Sequence, residues 1–157
     1  MVPFLNMQAR YERTAAAVEA AVLAGMRSGR YIGGPVLAEV EQAVAAVMGR
    51  AHGVGVTSGT VAITQLLQGM GIGPGDEVIV PAVTFFATAG GVMRAGATPV
   101  LADVLPDRPL LDPDSVAAVM SPRTAAVMPV HLFGSAAPRL SVSVPVVDDA
   151  AQAVGAS

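Results

Sequence analysis

From residue 52 onward the chain alternates short apolar runs with stretches of helical character. That alternation limits the folds open to it more than any other feature. HGVGVTS (52–58), VIVPA (78–82), TPVLADV (98–104), TAAVMPVHLF (124–133) and VPVVDDA (144–150) read as strands. Between them lie GTVAITQLLQGMG (59–71), TFFATAGGVMRAG (84–96) and LDPDSVAAVMS (111–121), which read as helices. Asp112 is placed to cap the last of these, with Pro113 at its first position. Strands that are apolar on both faces and separated by helices predict an α/β fold, a mostly parallel sheet with helices on both faces. The link from His131 to Val144, LFGSAAPRLSVS, holds Pro138 and three serines, so a turn of helix at most is expected there.

Two helices precede the alternating region. Residues 6–27 are alanine-rich and stop at Ser28-Gly29, and RYIGGP then forms a loop. Pro35 opens a second helix ended by Gly49, on which Val36, Val40, Ala43, Val44 and Val47 share one face and are expected to pack inward. The expected organisation is an N-terminal helix and loop over 1–34 and a larger part over 35–157, forming one structural unit.

Composition removes several function classes. A net charge of −3 gives no reason to expect nucleic acid or an anionic membrane as partner. The uncharged run 78–93 is short for a membrane span and is broken by Pro81 and Gly90-Gly91. A cytoplasmic protein is the expectation. There is no cysteine, and the two histidines, His52 and His131, are far apart in sequence, so no metal site is expected. All nine basic residues are arginine, leaving the chain without a lysine.

In open parallel sheets ligands sit beyond the carboxyl ends of the strands. Four segments are expected at that rim: 57–60, 81–86, 131–134 and 148–152. Ser58-Gly59-Thr60 joins a strand to a helix; it is either a simple cap or a phosphate site, where free N–H groups and the helix dipole favour an anion. Phe85 and Phe86 are either core residues or a stacking surface for a flat heteroaromatic ring. Asp148 and Asp149 end an apolar strand, where a carboxylate needs a partner. One of them caps the next turn, or Asp149 meets a cation at the rim with Gln152 reaching the same space. His131, at a strand end, is either a satisfied structural residue or faces the rim.

Taken together, SGRYIGGPVLAEVEQ, VGVTSGTVAI, GIGPGDEVIVPAVTFFATA, AGATPVLADV, LDPDSV, TAAVMPVHLFG and VPVVDDAAQAVGA occur in an order that resembles the DegT/DnrJ/EryC1/StrS aminotransferases. The resemblance implies a three-layer fold type I large domain, here incomplete, and pyridoxal 5'-phosphate as cofactor. It implies nucleotide-linked keto-sugars and an amino-acid donor as substrates. By resemblance Gly59 and Thr60 hold the cofactor phosphate, Phe85 stacks on its ring, Asp149 pairs with the ring nitrogen and Gln152 donates to the ring oxygen. Tyr31 and His131 are candidates for substrate contact. The family's Schiff-base lysine has no counterpart, so no catalytic residue is assigned, and Val61 stands where the family commonly has an aspartate. Three readings follow: a truncated aminotransferase inactive alone, one half of a split enzyme, or a non-catalytic cofactor-binding, nucleotide-binding or dimerisation module. The partner expected is a second copy or a polypeptide carrying the missing C-terminal part.

Overall fold

The computed structural model describes residues 5–156. Five α-helices and three strands follow one another in the order α1 (Met7–Ser28), α2 (Pro35–Val47), α3 (Gly59–Gly69), β1 (Glu77–Pro81), α4 (Ala87–Ala95), β2 (Thr98–Ala102), α5 (Pro113–Val119) and β3 (Thr124–Val127). The strands form one parallel sheet in the order β2-β1-β3. β1 is central and buried along its whole length, as expected of a strand covered on both faces.

Side-chain alternation along the strands divides the core into two layers. On one face Val78, Val80, Ala126 and Met128 pack with Ile63 and Leu67 of α3 and Val92 of α4. On the other, Ile79 and Val127 pack with Val116 of α5 and with Leu140, Val142 and Val144 of the following segment. The small side chains of α4 permit close packing. A Cβ at Gly91 would lie 2.5 Å from Ile63 Cγ2, so this glycine lets α4 approach α3.

The expected strand at 144–150 is reduced to two isolated parallel bridges beside the end of β3, Val127 with Val146 and Val130 with Asp149. Pro129 interrupts β3, and Pro145 has no N–H to give; the ladder survives because the Pro145 and Pro129 carbonyls accept from Val127 and Asp149. The His131–Val144 link contains one 3₁₀ turn, Leu132–Gly134.

The strand expected at 52–58 does not form. The segment lies instead along α2. Glu41 Oε1 accepts the Gly55 N–H at 2.7 Å, and a Cβ at Gly53 would stand 2.5 Å from the Glu41 carbonyl oxygen. The expected core face of α2 is also corrected. Val36, Val40, Val44 and Val47 are exposed, and the helix packs through the Leu37–Glu41–Ala45 row, one residue or about 100° further round. α1 has no buried residue.

At the amino end of β1, Glu77 is held by both Nε and Nη2 of Arg123 and by the Ser121 hydroxyl, which tie it to the segment leading into β3. Its side chain is 10% exposed. The hydrogen bonds from Ser121 and Arg123 hold its carboxyl below the usual range, against the opposing effect of burial.

Two predictions follow from these layers. Ile79→Ala should cost about 2–5 kcal/mol in urea unfolding, whereas Leu101→Ala on the exposed side of β2 should change stability by less than about 1 kcal/mol. Because the folded Glu77 carboxyl titrates below its unfolded value of about 4.3, its contribution is present above that pH and is lost as pH falls through the lower folded value. Melts across the acid range should therefore show a steeper loss for the native chain than for Glu77→Gln.

Candidate functional site

The carboxyl ends of β1 and β3 open into a cleft of about 530 Å³. One wall is the start of α3, where Ser58, Gly59 and Thr60 line the space. Ser58 is the N-cap, its Oγ accepting the Val61 N–H at 3.3 Å. The Gly59 and Thr60 N–H groups have no protein acceptor among the described residues, so the positive end of the helix dipole and two donors face the cleft. A side chain at Gly59 would meet nothing within 4 Å, so it is open space, not crowding, that borders this turn.

The floor is apolar, built from Met128, Val130 and Val147. Phe85 stands at the mouth, 75% exposed. Behind it the hydroxyls of Thr84 and Thr88 pair at 3.0 Å, one turn apart, and both residues line the cleft.

The opposite wall is residues 148–152. Here the two adjacent carboxylates separate, as alternation along a strand requires. Asp148 is engaged by His131 Nε2 at 3.3 Å and by Arg50 Nη2 at 3.7 Å. Asp149 accepts the Ala151 N–H at 3.2 Å. Its backbone is fixed on both sides: its N–H donates to Pro129 O at 2.9 Å, and its C=O accepts from His131 N at 2.9 Å. Gln152 Oε1 accepts the Phe133 N–H at 2.8 Å.

All five residues singled out as cofactor contacts, Gly59, Thr60, Phe85, Asp149 and Gln152, border this one cleft. The two substrate candidates do not. Tyr31 is 76% exposed, and its hydroxyl donates to Met26 O at 3.1 Å. His131 lies behind the wall: its Nδ1 accepts the Ala137 N–H at 2.9 Å, which puts the ring proton on Nε2, toward Asp148. Sequence reading missed the Thr84–Thr88 pair, whose i, i+4 spacing was the available signal, and Arg50, whose partner lies 98 positions away and had none.

The arrangement can hold a flat molecule with an anionic group at one end and a protonated nitrogen at the other. The DegT/DnrJ/EryC1/StrS aminotransferase family model matches residues 12–157. The chain belongs to this family. It is 44% identical to the dTDP-3-amino-3,4,6-trideoxy-alpha-D-glucose transaminase of Streptomyces venezuelae, over 99% of this chain and 43% of that protein. It is 36% identical to the UDP-2-acetamido-2-deoxy-3-oxo-D-glucuronate aminotransferase of Pseudomonas aeruginosa, over 100% of this chain and 46% of that one. Among solved structures it superposes on S. venezuelae DesV in complex with a ketimine intermediate, with a TM-score of 0.89 and 42% identity, over 98% of this chain and 43% of DesV. NtdA of Bacillus subtilis with bound cofactor PMP gives 0.85 at 28% identity, over 98% of this chain and 37% of NtdA.

The α/β fold is accordingly that of the fold type I aminotransferases. The chain spans less than half the length of these family members. No helix among the described residues is long and apolar enough to cross a membrane, and no cluster of His, Cys, Asp or Glu among them could hold a metal ion.

The cap that orients this wall is directly testable. Ser58→Ala should lower stability by about 1 kcal/mol in chemical denaturation, and Ser58→Asp should restore most of it, since aspartate also accepts at this position.

Proposed function

We propose that this chain forms the cofactor cleft of a pyridoxal-phosphate-dependent aminotransferase that aminates nucleotide-linked keto-sugars. The observation carrying this reading is that the free amides of Gly59 and Thr60 and the carboxylate of Asp149 border one cleft with an apolar floor. The residues fit the cofactor: donors suit its phosphate, Met128, Val130 and Val147 suit its ring, and a carboxylate suits its ring nitrogen.

When bound, pyridoxal 5'-phosphate supplies an electron-withdrawing ring that takes up the electron pair released at a substrate carbon. Asp149 holds the proton on the ring nitrogen, since a neighbouring carboxylate favours the charged form. Its pinned backbone keeps that carboxylate in place without reorganisation. Gly59 and Thr60 bind and orient the phosphate. Phe85, at the mouth of the cleft, would offer an aromatic face to the ring. Gln152 directs its amide donors to the ring oxygen.

The sugar assignment rests on the relatives named for nucleotide-sugar aminotransferases. One structural neighbour is named for 3-amino-5-hydroxybenzoic acid synthesis rather than for a sugar, at a TM-score of 0.77 and 38% identity over 87% of this chain and 38% of that one. A second reading is supported by one sequence fact: none of the 157 residues is lysine. In that reading these residues hold the cofactor, and the amine that attaches it and carries the proton belongs to a different polypeptide segment.

The test uses 4-deoxypyridoxine 5'-phosphate, which has no aldehyde and needs no amine. Calorimetry should show binding that Asp149→Asn weakens by about tenfold or more, the loss of one charge-assisted contact. Asp148→Asn should stay within about threefold, because that carboxylate is already engaged by His131 and Arg50. Equal affinities for the native chain and Asp149→Asn, or no binding at all, would overturn the reading. Borohydride treatment with pyridoxal 5'-phosphate should yield no lysine adduct.

A further inference from the structure

Phe133 is the non-glycine residue with a positive φ among the described residues, at φ 55° and ψ 28°. The left-handed region is unfavourable for a residue with a Cβ, and aromatic side chains are not among those that enter it readily. Packing of the ring does not explain it, because Phe133 is 78% exposed. What the turn does place is an amide: the Phe133 N–H, whose direction is set by the preceding peptide, donates to Gln152 Oε1 at 2.8 Å.

That contact settles which way the amide faces. A backbone N–H can be met only by the oxygen of a carboxamide, so Oε1 is committed and Nε2 is the end left over. Nε2 has no acceptor among the described residues, and Gln152 lines the cleft beside Asp149. The turn is anchored around this point. His131 N donates to Asp149 O, Ser135 N donates to Leu132 O at 3.1 Å, and Ala137 N donates to His131 Nδ1. Gly134 follows at φ 83°, where a glycine is at ease.

The geometry points to Phe133 as a positioning residue: its backbone N–H clasps Gln152 so that the amide offers only donors to the cleft. The site thereby selects a ligand with an oxygen acceptor at that point and rejects one with a donor there. The identity of the ligand rests on the cofactor reading above; the clasp itself does not.

The experiment combines amide exchange by NMR on the labelled full chain with titration of 4-deoxypyridoxine 5'-phosphate. Gln152→Ala should speed exchange of the Phe133 amide by about tenfold or more, because its acceptor is gone. Gln152→Glu keeps an acceptor and removes the donor. It should leave that amide protected yet weaken the probe by about tenfold. Phe133→Gly keeps the N–H and suits the left-handed region, so probe affinity should stay within about threefold. Unchanged exchange in Gln152→Ala would overturn the clasp. Full affinity in Gln152→Glu would overturn the donor role, and a tenfold loss in Phe133→Gly would assign the effect to the ring. Failure of the native chain to bind the probe would overturn the cofactor reading and the donor role with it, while exchange would still decide the clasp.

Discussion

The short backbone ladder between residues 127–131 and 145–149 is the constraint on which the site depends. Its four hydrogen bonds, Val127 N to Pro145 O, Val147 N to Val127 O, Asp149 N to Pro129 O and His131 N to Asp149 O, carry the 148–152 wall to the rim of the sheet. Each bond is modest by itself, about 1 kcal/mol net. Their importance is geometric. They set the register, and a slip by one residue would exchange the directions of Asp148 and Asp149. The sheet behind them is rigid because β1 is buried on both faces between α3 and α4 on one side and α5 on the other.

The two ends of the sheet divide their duties. At the amino end Glu77 is saturated by Arg123 and Ser121, a charge neutralised within the fold. At the carboxyl end donors are left unused: the Gly59 and Thr60 amides and the Gln152 NH₂ group. The buried side-chain polar groups among the described residues are satisfied, while these donors border one cleft, which is the arrangement the proposed cofactor site requires. Asp148 borders that cleft too, but its carboxylate is engaged by His131 and Arg50, which do not line it.

Much of the rim was legible because its parts are local. Ser58-Gly59-Thr60 announces a capped helix after an apolar run, and the Asp112-Pro113 pair does the same for α5. The valine run in β1 and the apolar run in 144–147 announce the strand direction that ends at Pro81 and at Asp148. The expected strand at 52–58 failed for a reason no local pattern contains. Whether an apolar run pairs in a sheet depends on which neighbour reaches its backbone first, and here Glu41 of α2 takes the Gly55 amide. The valine stripe of α2 misled in the same way: periodicity identifies an apolar face, while packing chose the adjacent Leu37–Glu41–Ala45 row.

The sequence by itself determined the parallel sheet between helices and the four segments at its rim, because periodicity, caps and turn residues act over a few positions; the five cofactor contacts within those segments are what the family resemblance implies. The tertiary structure alone decided that Tyr31 and His131 lie outside the cleft, that Arg50 reaches Asp148, and that the Phe133 N–H meets Gln152. Those outcomes join residues 5 to 98 positions apart and turn on side-chain direction, amide orientation and the competition between donors for one acceptor. Such choices have no signature until the chain has closed on itself.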